Sequence, residues 1–81
     1  MKVRVKLFAV AKELAGIDAL EIELADDATI AELREAVVEA VPSLAKIVPH
    51  TLWAIGSEYV RDDTRLNKNS DVAMIPPVSG G

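Results

Sequence analysis

Two short segments alternate apolar and charged residues with a period of two, and only one stretch of the chain has the period of a full helix. In KVRVKL, Val3, Val5 and Leu7 alternate with Lys2, Arg4 and Lys6; in ALEIEL, Leu20, Ile22 and Leu24 alternate with Glu21 and Glu23. Successive side chains of a strand point to opposite faces, so each segment predicts a strand with one dry face and one wet face. The helical pattern is TIAELREAVVEAV, in which Ile30, Leu33, Val37 and Val41 fall on a single stripe. Thr29 stands three residues before Glu32, the spacing of a capping box, and Pro42 stops the helix. These patterns together predict one sheet with one helix laid across its dry face.

The remaining segments fill in that frame. VAKELAG predicts one or two helical turns closed by Gly16. SLAKIVP reads as a short irregular helical turn. HTLWAIGSEYV predicts a third strand, a turn at Gly56-Ser57 and a brief fourth strand. RDDTRLNKNSD is a polar loop with Leu66 as its apolar anchor, and DVAMI is a short final strand. The first two strands follow one another without a full helix, which favours a hairpin. A final strand beside the first would then centre the sheet on the two terminal strands. That is the β-grasp, or ubiquitin-like, arrangement. It is an α+β fold with a mixed sheet, one main helix and a flexible C-terminal tail, divided as a domain over 1–75 and a tail over 76–81. A ferredoxin-like fold would need a second full helix, for which SLAKIVP is too short and too closely flanked by proline.

Composition narrows the function more by what it lacks. The 81 residues are 51% hydrophobic, mostly Val, Ala, Leu and Ile, and only Phe8, Trp53 and Tyr59 are aromatic. That is enough apolar material for one domain with one core. No cysteine is present, so the chain has no disulfide, thiolate nucleophile or Cys-based zinc site, and it fits a reducing compartment. MKVRVKLFAV alternates charge with apolar residues and is no signal-peptide core, and no run reaches membrane-spanning length; a cytoplasmic location without a membrane partner is expected. The net charge of −4 argues against nucleic acid. Lys2, Arg4 and Lys6 do share a strand face, but Glu21 and Glu23 on the next strand predict a neutralising ladder. His50, the only histidine, follows Pro49 at an expected strand start with no second ligand or nucleophile beside it. Asp62 and Asp63 stand between Arg61 and Arg65 in ordinary turn composition. The four glycines, at 16, 56, 80 and 81, form no phosphate loop. No metal site and no catalytic constellation are expected.

The chemistry therefore falls to the end of the chain, IPPVSGG. Two terminal glycines would occur by chance in roughly 0.5% of chains at average usage. Pro76 and Pro77 lack an N–H, so the ladder of a central strand ends there, and they hold the chain extended. From Pro76 an extended tail reaches roughly 20 Å, enough to enter a deep pocket on another protein. Ordering the residues after the prolines costs on the order of 4–8 kcal/mol, which contacts with that protein must offset. Gly80 and Gly81 carry no Cβ and can pass through a narrow channel. The carboxylate of Gly81, ionised and inert as an electrophile at neutral pH, becomes reactive only once activated, for example as an acyl-adenylate open to a sulfur or nitrogen nucleophile. The tail reads as a substrate of other enzymes and the domain as the handle they hold.

PPVSGG after DVAMI, together with KLFAVAKELAG near the start, ATIAELREAV and SEYV, resembles the small-subunit family of molybdopterin synthase over essentially the whole chain. The chain departs from that family's pattern in NKNSD, where a glycine-containing turn is usual and Asn69 is expected to supply the left-handed residue, and in Met74-Ile75, where a Phe commonly precedes the prolines. The resemblance implies that Gly81 is adenylated by a ubiquitin-activating-like enzyme at the expense of ATP and converted to a thiocarboxylate by a sulfurtransferase. Pro76, Pro77, Val78, Ser79 and Gly80 would carry it into the large subunit of the synthase, within a heterotetramer, where the sulfur helps to build the dithiolene of molybdopterin. No bound cofactor is implied, and the acid–base residues would lie on the large subunit. A sulfur carrier for the thiazole of thiamin, a protein modifier joined to lysine, and a non-covalent module with an idle tail stay open as alternatives. The strand pattern puts Phe8 on the face opposite Val3, Val5 and Leu7. With a final strand beside the first, Phe8, Ile75 and Val78 would form an exposed patch that anchors the partner. Otherwise Phe8 would fold back beneath VAKELAG to cap the core.

Overall fold

Lys2–Leu7 forms β1 with its alternation intact: Val3, Val5 and Leu7 are buried and Lys2, Arg4 and Lys6 exposed. Ala19–Glu23 forms β2, antiparallel to β1, with Val3 opposite Ile22 and Val5 opposite Leu20. Between them Val10–Ala15 makes the short helix α1, closed by Gly16 at φ 75°, a left-handed conformation that glycine adopts without a Cβ clash. In this computed structural model the described residues are 1–68 and 70–76. The turn residue Asn69 and the tail residues Pro77, Val78, Ser79, Gly80 and Gly81 lie outside them.

Ile30–Ala40 forms the main helix, α2, and its stripe of Ile30, Leu33 and Val37 is fully buried. The capping box forms as the Thr29–Glu32 spacing predicts: the Glu32 N–H donates to Thr29 Oγ1 and the Thr29 N–H to Glu32 Oε1. SLAKIVP folds as two 3₁₀ turns, Pro42–Leu44 and Val48–His50, rather than as a helix, which removes the ferredoxin-like alternative. His50 accordingly ends a 3₁₀ turn instead of opening a strand. Leu52–Ile55 forms β3, Glu58–Val60 forms β4 after a turn at Gly56, and Asp71–Ile75 forms β5.

The five strands stand in the order β2-β1-β5-β3-β4, with β5 parallel to β1 and antiparallel to β3. The two terminal strands thus occupy the middle of a mixed sheet. Core residues Val3, Val5, Leu7, Leu20, Ile22, Trp53, Val72 and Met74 line one face, against which α2 packs, and Leu44, Val48 and Leu66 close its margins. Among the described residues the opposite face carries no helix. On it, Lys2 stands opposite Glu23 and Arg4 opposite Glu21, yet neither pair closes to an ion pair. The expected ladder is present in register but not as fixed bonds. Long exposed side chains gain little from being held in one geometry against water.

Candidate functional site

The chain leaves the described domain at the end of β5, and the sheet register says what surrounds that exit. Leu7 is level with Met74, so Phe8, the next residue, falls level with Ile75. Across the other side of β5, Leu52 is opposite Ile75. One row of the open face therefore reads Phe8, Ile75, Leu52. The row behind it reads Lys6, Ala73, Ala54 and Tyr59, since Ala54 is opposite both Ala73 and Tyr59. Phe8 is 46% exposed, Leu52 57% and Tyr59 68%. An exposed apolar surface with three large side chains is more than a monomer keeps by accident.

Phe8 does not cap the core. It stands outside the buried cluster, and Ala11 of α1 takes the inward position instead. The turn that aims Phe8 outward is closed by a hydrogen bond from the Ala11 N–H to the Phe8 carbonyl at 3.1 Å. Ile75 is half-buried in the row beside it, and Pro76 is buried, the last described residue and the one that ends the ladder. A depression of about 510 Å³ adjoins the patch, bounded by Phe8 and Ala9 with Arg4, Lys6, Lys12 and Asp18. The margin of the apolar rows on this side is thus basic.

Leu52 and Tyr59 are additions that the sequence reading missed. The signal was present in Trp53: once its large ring is assigned to the core, period two turns Leu52 outward. The other candidates stay apart from this surface. Asp62 pairs with Arg34 at 3.2 Å, and its carbonyl accepts the Ala31 N–H, so it serves the helix start. Among the described residues no group of three His, Cys, Asp or Glu side chains could hold a metal ion, and no helix is long and apolar enough to cross a membrane.

A sheet centred on its first and last strands and crossed on one face by a single main helix defines a β-grasp domain of the ubiquitin-like class. Residues 5–81 match the ThiS family, and the chain belongs to that family. It is 36% identical over 83 residues to the molybdopterin synthase sulfur carrier subunit of Chlamydomonas reinhardtii, with 100% of each chain covered. The crystal structure of SAMP1 from Haloferax volcanii superposes with a TM-score of 0.89 at 27% identity, covering 100% of both chains. A chain of the complex of subunits 1 and 2 of molybdopterin-converting factor from Helicobacter pylori shares the fold, with a TM-score of 0.70 at 24% identity and 100% of both chains covered.

Proposed function

We propose that the chain is a sulfur carrier, the small subunit of a molybdopterin synthase acting in the cytoplasm. The observation that carries this reading is the position of β5. The strand that ends at the proline pair is central and rigidly paired on both sides, and its exit is ringed by Phe8, Ile75 and Leu52. A partner that grips this surface receives the following residues at a fixed origin. The full-length likeness to a relative named as a sulfur carrier subunit supports the same reading.

The chemistry runs through Gly81. An activating enzyme joins its carboxylate to AMP from ATP, releasing pyrophosphate. A persulfide carried by a sulfurtransferase then attacks the carbonyl and AMP leaves; a thiol cleaves the resulting acyl disulfide, itself ending in a disulfide, and releases the thiocarboxylate. Pro77, Val78, Ser79 and Gly80 carry the sulfur into the large subunit, which holds the precursor and the acid–base groups. Phe8, Ile75 and Val78 anchor that subunit, with Leu52 and Tyr59 extending the contact. The partner needs Lys or Arg near the bound terminus, because a carboxylate or thiocarboxylate entering a closed pocket must have its charge compensated. Intact mass of the protein purified from its own cell tests this. Exchange of one terminal oxygen for sulfur is expected; a terminus found only as carboxylate in cells making the cofactor would overturn it.

A second reading has one specific observation in its favour. SAMP1, a small archaeal modifier protein, superposes over the whole chain. Activation is common to both readings and only the final nucleophile differs. Adducts joining Gly81 to lysines of other proteins, found by peptide mass mapping, would mark the modifier role.

A further inference from the structure

The free edge of β2 lies at the margin of the sheet, outside the apolar rows that run from Phe8 across β5 and β3, and has its own character. The Leu24 N–H donates to the Met1 carbonyl at 2.8 Å, the Met1 amino group to the Leu24 carbonyl at 2.6 Å, and the Leu7 N–H to the Asp18 carbonyl at 2.9 Å. In an antiparallel pair such positions alternate, so Leu20 and Ile22 also bond inward to β1. The N–H and C=O groups of Ala19, Glu21 and Glu23 point the other way, out of the sheet, because β2 is its last strand. Edge strands are commonly blunted by proline, a bulge, great shortness or charged side chains, and of these β2 carries only the last, in Glu21 and Glu23. This one has a regular register over five residues and contains no proline.

A groove of about 350 Å³ runs beside that edge, between Ile22 of β2 and Ala36, Glu39 and Ala40 of α2. The two alanines leave room for an apolar side chain over Ile22. The rim is acidic: Glu21 and Glu23 on the strand and Glu39 on the helix, none of them in an ion pair among the described residues. A second copy of this edge is a poor occupant, since like charges would then face one another across the new pair. The complementary occupant is an extended segment that alternates basic and apolar residues. Its basic side chains would meet Glu21 and Glu23 on one face, and its apolar ones would enter the groove on the other.

We propose that the β2 edge and the β2–α2 groove form a second docking surface, separate from the exit of the tail, that binds an extended basic-apolar segment of a partner protein by adding a strand to the sheet. The fold already holds one instance of this pairing: Lys2, Val3 and Arg4 of β1 against Glu23, Ile22 and Glu21.

The test titrates the ¹⁵N-labelled full chain with a capped peptide of sequence KVRVK. The amides of Ala19, Glu21 and Glu23 are expected to shift and to gain protection from hydrogen exchange, with shifts in the Ile22, Ala36 and Ala40 methyl groups. Binding should weaken as salt rises. The same peptide with glutamate in place of its basic residues should leave these signals unmoved. Glu21→Lys with Glu23→Lys should weaken KVRVK binding at least tenfold, and so should Glu39→Lys, which lies on the helix and does not touch strand pairing. Two outcomes overturn the proposal: KVRVK shifts none of these signals, which would make the glutamates guards against self-pairing only, or it moves the Phe8–Leu52 surface instead. Neither bears on the sulfur-carrier reading, which rests on Gly81 and the family likeness and not on the edge of β2.

Discussion

At Ala9 the backbone takes φ 50° and ψ −125°, in the half of conformational space that L-residues with a Cβ rarely enter. With the 3.1 Å bond from Ala11 N–H to Phe8 C=O, this is the geometry of a type II′ turn, whose second position normally holds glycine. The sequence shows alanine there and gives no sign of such a turn, so it was not legible beforehand. Strain of this kind costs about 1–3 kcal/mol, while glycine gives back part of the gain as unfolded-state entropy. Ala9→Gly should therefore raise stability by about 1 kcal/mol in a denaturant titration; a loss would mean that the Cβ has a packing role that outweighs the strain. The neighbouring Phe8 predicts the opposite division of effects. Because it is 46% exposed, Phe8→Asp should leave the melting temperature nearly unchanged. If Phe8 is a central anchor, the variant should bind the large subunit weaker by about 2 kcal/mol, as calorimetry would read it. Undiminished binding would remove Phe8 from the interface.

Among the elements, α2 shows why a capped helix is the easiest thing to read in a sequence. Its four leading N–H groups all find partners: Ile30 donates to the Thr64 carbonyl, Ala31 to that of Asp62, Glu32 to Thr29 Oγ1 and Leu33 to the Thr29 carbonyl. The box and the carbonyl of Thr29 are local and legible; the two loop carbonyls come from 34 and 31 residues along the chain and are not. Thr29→Ala should cost about 1 kcal/mol, since it removes only the local share. Leu33→Ala should cost about 2–5 kcal/mol, because Leu33 is fully buried against the sheet. A loss of stability below half that range would mean the site collapses around the smaller side chain. The strands divide in the same way. β1 and β2 alternate apolar with charged residues because each has one dry and one wet face, whereas β3 reads LWAI, apolar on both faces, and that polar alternation is lost. That loss hid the outward turn of Leu52. SLAKIVP is legible as a short irregular turn, because proline at the first turn of each 3₁₀ segment supports a tight turn as readily as a helix start.

For the molecule as a whole, the arrangement separates what holds the fold from what the chain delivers. β5 sits between β1 and β3 and contributes Val72 and Met74 to the core, so the strand leading to the tail is among the least expendable parts of the sheet. Pro76 is buried at its end, and the residues proposed to carry the sulfur follow it. A pull on the tail is thus borne by paired backbone on both sides of β5, and the distance from the apolar rows to the terminus is set by the few residues that follow. Deleting Gly81 should leave the thermal midpoint within error of the parent, because the core and sheet ladder of the described domain are built from residues that precede the tail. The same deletion should abolish sulfur loading when the protein is incubated with ATP, the activating enzyme and the sulfurtransferase and then weighed intact. Adding one residue after Gly81 should do likewise, as the carboxylate is carried past the point where adenylation occurs. A clear fall in the thermal midpoint on deletion would assign the terminus a structural role. Loading that survives either change would mean the activating enzyme reads the open face and not the length of the tail.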